Sequence, residues 1–157
     1  MISENRGEAM EKKKPAADSV EAYRAAYWEA EALYGLCAKQ CGLSEMEYWI
    51  LLALHEGVET QSAISDRIGA SRQTVNSACK VLVKKGLIAM EALETNLRVK
   101  RISLTEDGWR FMHSHLERVF RLEAEVWNRM PQAERAALVS LTAKYNALMK
   151  AALLQEE

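Results

Sequence analysis

The stretch Thr60–Thr105, TQSAISDRIGASRQTVNSACKVLVKKGLIAMEALETNLRVKRISLT, reads as two short helices joined by a tight turn, then two strands around a polar tip. The first helix is expected over about Gln61–Ile68, where Ala63, Ile64 and Ile68 recur on one face at helical spacing. Gly69 ends it, because glycine enters the left-handed region without a Cβ penalty. Ser71 then caps the next helix by accepting a bond from a free backbone N–H. Two short amphipathic helices around such a break form a helix-turn-helix, whose second helix enters the DNA major groove.

That second helix is expected from Ser71 to Lys85. Val75, Ala78, Cys79 and Leu82 fall at i, i+3, i+4 and i+7, a single buried stripe. The opposite face carries Arg72, Gln73, Asn76, Ser77, Lys80 and Lys84, and Thr74 and Ser71 stand at its start. Arg and Lys suit guanine edges or phosphates, Asn and Gln suit adenine, and hydroxyls suit either. No carboxylate interrupts this face. A solvated helix face is the plainer alternative, and the next segment weighs against it.

Gly86 closes the helix, and Leu87–Leu93 reads as a short strand. Glu94-Thr95-Asn96 forms a polar turn, and Leu97–Leu104 returns with Val99, Ile102 and Leu104 alternating against Arg98, Lys100 and Arg101. A hairpin directly after a reading helix is a wing, its basic residues placed to reach a minor groove or phosphates. Between Ser71 and Arg101 there are seven basic and two acidic residues, +5, so the remainder of the chain holds 14 basic and 20 acidic, −6. A formal net charge of −1 therefore hides a polarised molecule.

The order of these signals resembles the MarR (multiple antibiotic resistance regulator) family over roughly Gly42–Gly108. Gly42-Leu43-Ser44 opens a helix ending in Leu51-Leu52-Ala53-Leu54. Gln61 with Ile64, Ser71-Arg72-x-Thr74-Val75 and Leu82-x-Lys84-Lys85-Gly86-Leu87-Ile88 follow, and Leu104-Thr105-x-x-Gly108 closes the stretch. The family's wing usually carries Asp-x-Arg, whereas this chain has Asn96-Leu97-Arg98, so an amide replaces the acid that braces the arginine. The resemblance implies a homodimeric regulator on a pseudo-palindromic double-stranded DNA operator. It also implies, for many relatives, repression relieved by a small aromatic ligand.

With 157 residues the chain suits one domain. The expected layout is a flexible arm over 1–16, then a single domain over 17–157. Its winged helix-turn-helix head spans about 43–104 and its dimerisation helices about 17–41 and 105–154. The class is mainly α with a small β-wing. The arm has charge but no apolar core, so it does not read as a secretory signal. Its Lys12–Lys14 run reads as solvated, with DNA contact the lesser alternative. No run of 18 apolar residues would span a bilayer. Three cysteines without metal-ligand spacing imply neither a disulfide framework nor a zinc site, and fit a reducing cytoplasm.

The helix after Ser19 repeats Tyr23, Tyr27, Ala30, Tyr34, Cys37 and Cys41, an apolar stripe facing core or partner. Some relatives of the resembled family sense oxidants through a thiol on this helix, so a redox-sensing regulator is one alternative. Free cysteine also behaves as a small buried apolar residue. Ser44-x-x-Glu47 forms a capping box for a helix to Glu56, nearly apolar all round, with His55 at its solvent edge. Thr105-Glu106-Asp107 opens a long helix stepping through Trp109, Met112, Leu116, Val119, Glu123 and Val126. Pro131 starts the last helix, whose Leu138, Leu141, Tyr145, Leu148 and Ala152 form a 3-4-3-4 seam expected between subunits. Trp28, Tyr34, Trp49 and His113 are candidates to line a ligand pocket, with plain core the competing reading. No catalytic motif is present and no cofactor is implied. The remaining alternative to DNA binding is a winged helix that binds a protein partner.

Overall fold

The computed structural model describes residues 15–93 and 96–155, and for residues 93 and 96–99 the backbone alone. The expected arm over 1–16 therefore falls outside the described residues except Pro15 and Ala16. The Glu94-Thr95 tip and the Arg98 side chain also fall outside them.

The chain divides into two units, 1–45 and 46–157. The first is built on α1 (Val20–Gln40). Ser19 caps it as expected, its hydroxyl accepting from the Ala22 N–H at 3.1 Å. Within α1 only Gly35 and Ala38 are buried, while Tyr23, Tyr27 and Trp28 are exposed. The aromatic stripe is thus not core within one chain.

The second unit runs α2 (Glu45–His55), α3 (Gln61–Ile68), α4 (Arg72–Lys84), β1 (Ile88–Leu93), β2 (Asn96–Leu104), α5 (Glu106–Phe111), α6 (Glu117–Arg129) and α7 (Gln132–Leu153). As its composition predicts, α2 is the buried helix: Tyr48, Ile50, Leu51, Ala53 and Leu54 are all out of solvent. His55 is exposed at its end, stacked on Phe120 with ring centroids 5.0 Å apart. α3 and α4 pack on each other, α4 on β1, and α3 and α5 on β2.

The helix-turn-helix follows its local code. Thr60 accepts from the Ala63 N–H to cap α3, and Gly69 ends it at φ 65°, where any side chain would be strained. The predicted apolar face of α3 needs one correction. Ile64 is buried, but Ala63 is exposed and Ser65 is buried in its place. Ser65 meets the polarity requirement locally, its hydroxyl donating to the Gln61 carbonyl at 2.9 Å.

β1 and β2 pair antiparallel from Ile88↔Leu104 to Ala92↔Lys100, and the register then shifts so that Leu93 pairs with Asn96. A third backbone segment joins this wing. Thr60 bridges Arg101, and the Ile102 N–H donates to the Glu59 carbonyl at 2.7 Å. Single-sequence reading missed it, because two residues carry no period.

The long helix expected after the wing is interrupted. Thr105 caps α5 through the Gly108 N–H, but Met112–Leu116 forms a π-helical turn before α6 begins. Met112, Leu116 and Val119 are buried as predicted, whereas Trp109 and Val126, assigned to the same stripe, are exposed. An extra residue in one turn rotates the apolar face, so a heptad cannot run through it. α7 has no buried residue.

Candidate nucleic-acid interface

Ser71 sets the start of α4: its hydroxyl accepts from the Thr74 N–H at 3.1 Å. From there the periodicity sorts the helix cleanly. Val75, Ala78, Cys79 and Leu82 are buried, all four of the expected stripe, which turns the other face outward. Arg72, Gln73, Thr74, Ser77, Lys80 and Lys84 are exposed, and Asn76 is half-buried at the margin. The face carries no acid.

The hydroxyls on this face each make a hydrogen bond within the helix or its cap. Thr74 Oγ1 lies 2.8 Å from Ser71 Oγ, inside the cap. Ser77 donates to the Gln73 carbonyl at 2.9 Å. Of the predicted hydrogen-bonding readers, Gln73 and Asn76 keep their full side-chain chemistry. Val81, which the sequence reading left unassigned, is 45% exposed beside them. Its exposure was legible in principle, since it falls off the buried stripe.

Two of the seven basic residues in the polarised segment are neutralised from outside it. Lys85 Nζ sits 2.8 Å from Oε1 of Glu47, a carboxylate on α2 that is almost fully buried. Arg101, expected among the wing's DNA-facing cations, instead grips Glu59 through Nη2 and Nε at 2.6 and 2.8 Å. These pairs tie the C-terminal end of α4 to α2 and the wing to the α2–α3 connection. Arg72, Lys80, Lys84 and Lys100 make no ion pair with a described residue, and Lys100 is exposed on β2. The usable positive charge is thus concentrated on α4 and the outer wing.

The wing is held at its base by Gly108. A Cβ built there would lie 2.0 Å from the Leu87 carbonyl oxygen, so only glycine lets α5 approach β1 this closely. Thr105 completes the junction, its N–H donating to Leu87 O and its hydroxyl to Gly86 O. This gives the Leu104-Thr105-x-x-Gly108 motif a physical reason.

Residues 42–98 match the MarR family's sequence model. Over those residues the chain is similar to a MarR-family domain. No curated protein sequence matches the chain. Solved structures carry the likeness into the terminal helices. A MarR family regulator from Neisseria meningitidis superposes with a TM-score of 0.77 at 19% identity, covering 88% of this chain and 98% of its own. The Staphylococcus aureus MepR–DNA complex gives 0.67 at 17% identity, covering 82% and 96%. Bordetella bronchiseptica BpsR, described with the regulation of its DNA binding by 6-hydroxynicotinic acid, gives 0.68 at 19% identity, covering 85% and 97%. At these identities the shared property is the MarR fold.

The four predicted ligand-pocket residues divide between the units. Trp28 and Tyr34 lie on α1, the former exposed and the latter half-buried. Trp49 is half-buried on α2 with its ring edge-on to Tyr48, and His113 is exposed, close to Trp109 and Glu117. An open groove of about 580 Å³ in the second unit is lined by Trp127, Gln132, Arg135, Ala136, Val139 and Ser140, and includes none of them. Among the described residues no group of three His, Cys, Asp or Glu side chains could hold a metal. No helix there is long and apolar enough to cross a membrane.

Proposed function

We propose that this protein is a sequence-specific DNA-binding transcription regulator that works as a homodimer on a pseudo-palindromic operator. The observation that carries the reading is the outer face of α4: Arg72, Gln73, Lys80 and Lys84 exposed together, with no carboxylate to repel phosphate. The N-terminal cap of α4 and the Gly108 junction hold that helix and the wing as one reading head. Relatives of the same fold include a DNA complex.

Dimerisation is supported by α7. Leu138, Leu141, Tyr145 and Leu148 recur along one face, and none is buried within the chain. A two-fold pair would present two α4 helices to successive major-groove faces about one turn apart. Repression released by a small aromatic ligand fits this reading, with Trp28 and Tyr34 in the first unit and, separately, Trp49 and His113 in the second as candidate contacts. A ligand that binds only dimers with wrongly spaced heads would shift the population off DNA. BpsR, with its 6-hydroxynicotinic acid, offers a precedent within the fold. A reducing cytoplasm is the compartment this reading implies.

Duplex selection from a random pool, followed by anisotropy titrations between 50 and 200 mM salt, tests the proposal. Affinity is expected to fall steeply and linearly on logarithmic axes, and Lys80→Ala or Lys84→Ala to reduce the slope by about one per contact. Binding that is absent or indifferent to salt would favour the winged helix as a protein-binding module.

A further inference from the structure

The outer face of α4 is not chemically uniform. At about 100° per residue, Gln73, Lys80 and Lys84 share its centre, while Thr74 and Val81 lie within about 20° of each other along one flank. Thr74 is exposed, yet its hydroxyl is held against Ser71 Oγ in the helix cap. That bond takes up part of the hydroxyl's capacity, and the methyl is the apolar group the exposed side chain offers a partner. Val81, about one turn beyond Ser77, is 45% exposed. Between them Ser77 has turned its hydroxyl to the Gln73 carbonyl. The flank is therefore an apolar ridge beside a polar, cationic centre. Val83 is also exposed, but it falls on the opposite flank beside Arg72 and Asn76.

An apolar ridge on a phosphate-compatible face has one chemically matched target in the major groove. Thymine alone among the four bases presents a methyl there. Thr74 and Val81 are separated by about 10 Å along the helix axis, too far for one base pair and suited to two. We propose that Thr74 and Val81 are specificity-determining residues that read thymine methyl groups at two separate positions in each half-site. The proposal rests on the DNA-binding reading above and deepens it: hydrogen-bond donors at the centre of α4 set part of the sequence, and methyl contacts on its flank set the rest.

The test uses the full-length protein and the duplexes recovered by selection, with each thymine replaced in turn by deoxyuridine, which removes only the methyl. Wild type is expected to lose roughly fourfold in affinity per methyl at two positions of each half-site, from about 0.8 kcal/mol per apolar carbon group. Thr74→Ser keeps the cap hydroxyl and loses the methyl. It should be insensitive to deoxyuridine at one of those positions and keep its sensitivity at the other. Val81→Ala should show the reverse pattern. Circular dichroism and an unchanged salt slope establish that both variants remain folded and docked. Wild-type affinity indifferent to every thymine methyl overturns the proposal and leaves DNA binding standing. Undiminished deoxyuridine sensitivity in both variants overturns it too. Failure to recover any duplex overturns the DNA-binding reading itself.

Discussion

Cys79 shows how a single residue's surroundings decide what chemistry it can do. It sits on the buried stripe of α4 with no exposed surface, and burial pushes its thiol from about 9.0 up to about 11. A thiol held neutral across the physiological range is a poor nucleophile, so oxidant sensing at this position is disfavoured. Iodoacetamide at pH 8 should spare Cys79 in the native protein and label it only after unfolding; rapid native labelling would contradict the burial. Linkage gives a second consequence. The folded thiol binds its proton more tightly than the unfolded one, so the stability it contributes is present below about pH 9 and is lost as pH rises towards 11. Urea midpoints taken at pH 8 and pH 10.5 should fall further in wild type than in Cys79→Ala. Cys37, half-buried on α1, stays the better thiol candidate for any redox alternative. Loss of DNA release in a triple Cys→Ser protein would select that alternative over a reversible ligand.

Between elements, two junctions aim the reading head. At the first, Gly108→Ala sets a helix-propensity gain of up to about 1 kcal/mol against a Cβ placed 2.0 Å from a backbone oxygen. The clash cannot be relieved by a rotamer change, so the net effect expected is a loss of about 2–3 kcal/mol in chemical unfolding. A stabilised variant would show that α5 does not approach β1 so closely. At the second, Glu47 is buried with Lys85 as its charge partner at 2.8 Å. Lys85→Met would leave the buried Glu47 carboxylate of α2 without its Lys85 cation. Because Lys85 is partly exposed, the cost expected is about 2 kcal/mol, below the range for fully buried pairs. The matched Glu47→Gln/Lys85→Met protein should recover much of it, a coupling that a double-mutant cycle reads directly.

For the whole molecule, the exposed face of α7 is the feature that a monomer does not explain. Leu141 and Leu148 are each more than 60% exposed on a helix with no buried residue. Large contiguous apolar surfaces of this kind mark interaction sites. Leu141→Glu is expected to give monomers or insoluble protein and to abolish operator binding, since one head makes half the contacts. A soluble mutant that light scattering shows to be fully dimeric would place the interface elsewhere.

Local chemistry alone determined the helix-turn-helix. The bounds of α3, the Gly69 stop, the Ser71 cap and the four-residue stripe of α4 all follow from interactions within a turn or two, which a linear sequence displays in full. The wing was legible for the same reason, its alternation bracketed by Gly86 and a polar turn. What the tertiary structure decided were relations between distant residues: the Glu59–Thr60 segment joining the wing, Arg101 turned to Glu59, Lys85 to Glu47, and the Leu87 carbonyl against Gly108. No periodicity encodes such pairs, because each partner obeys the pattern of its own element. The π-helical turn belongs with them. Met112 and Leu116 keep their places in the core while Trp109 and Val126 turn outward, and only packing against the head selects that register over an unbroken helix.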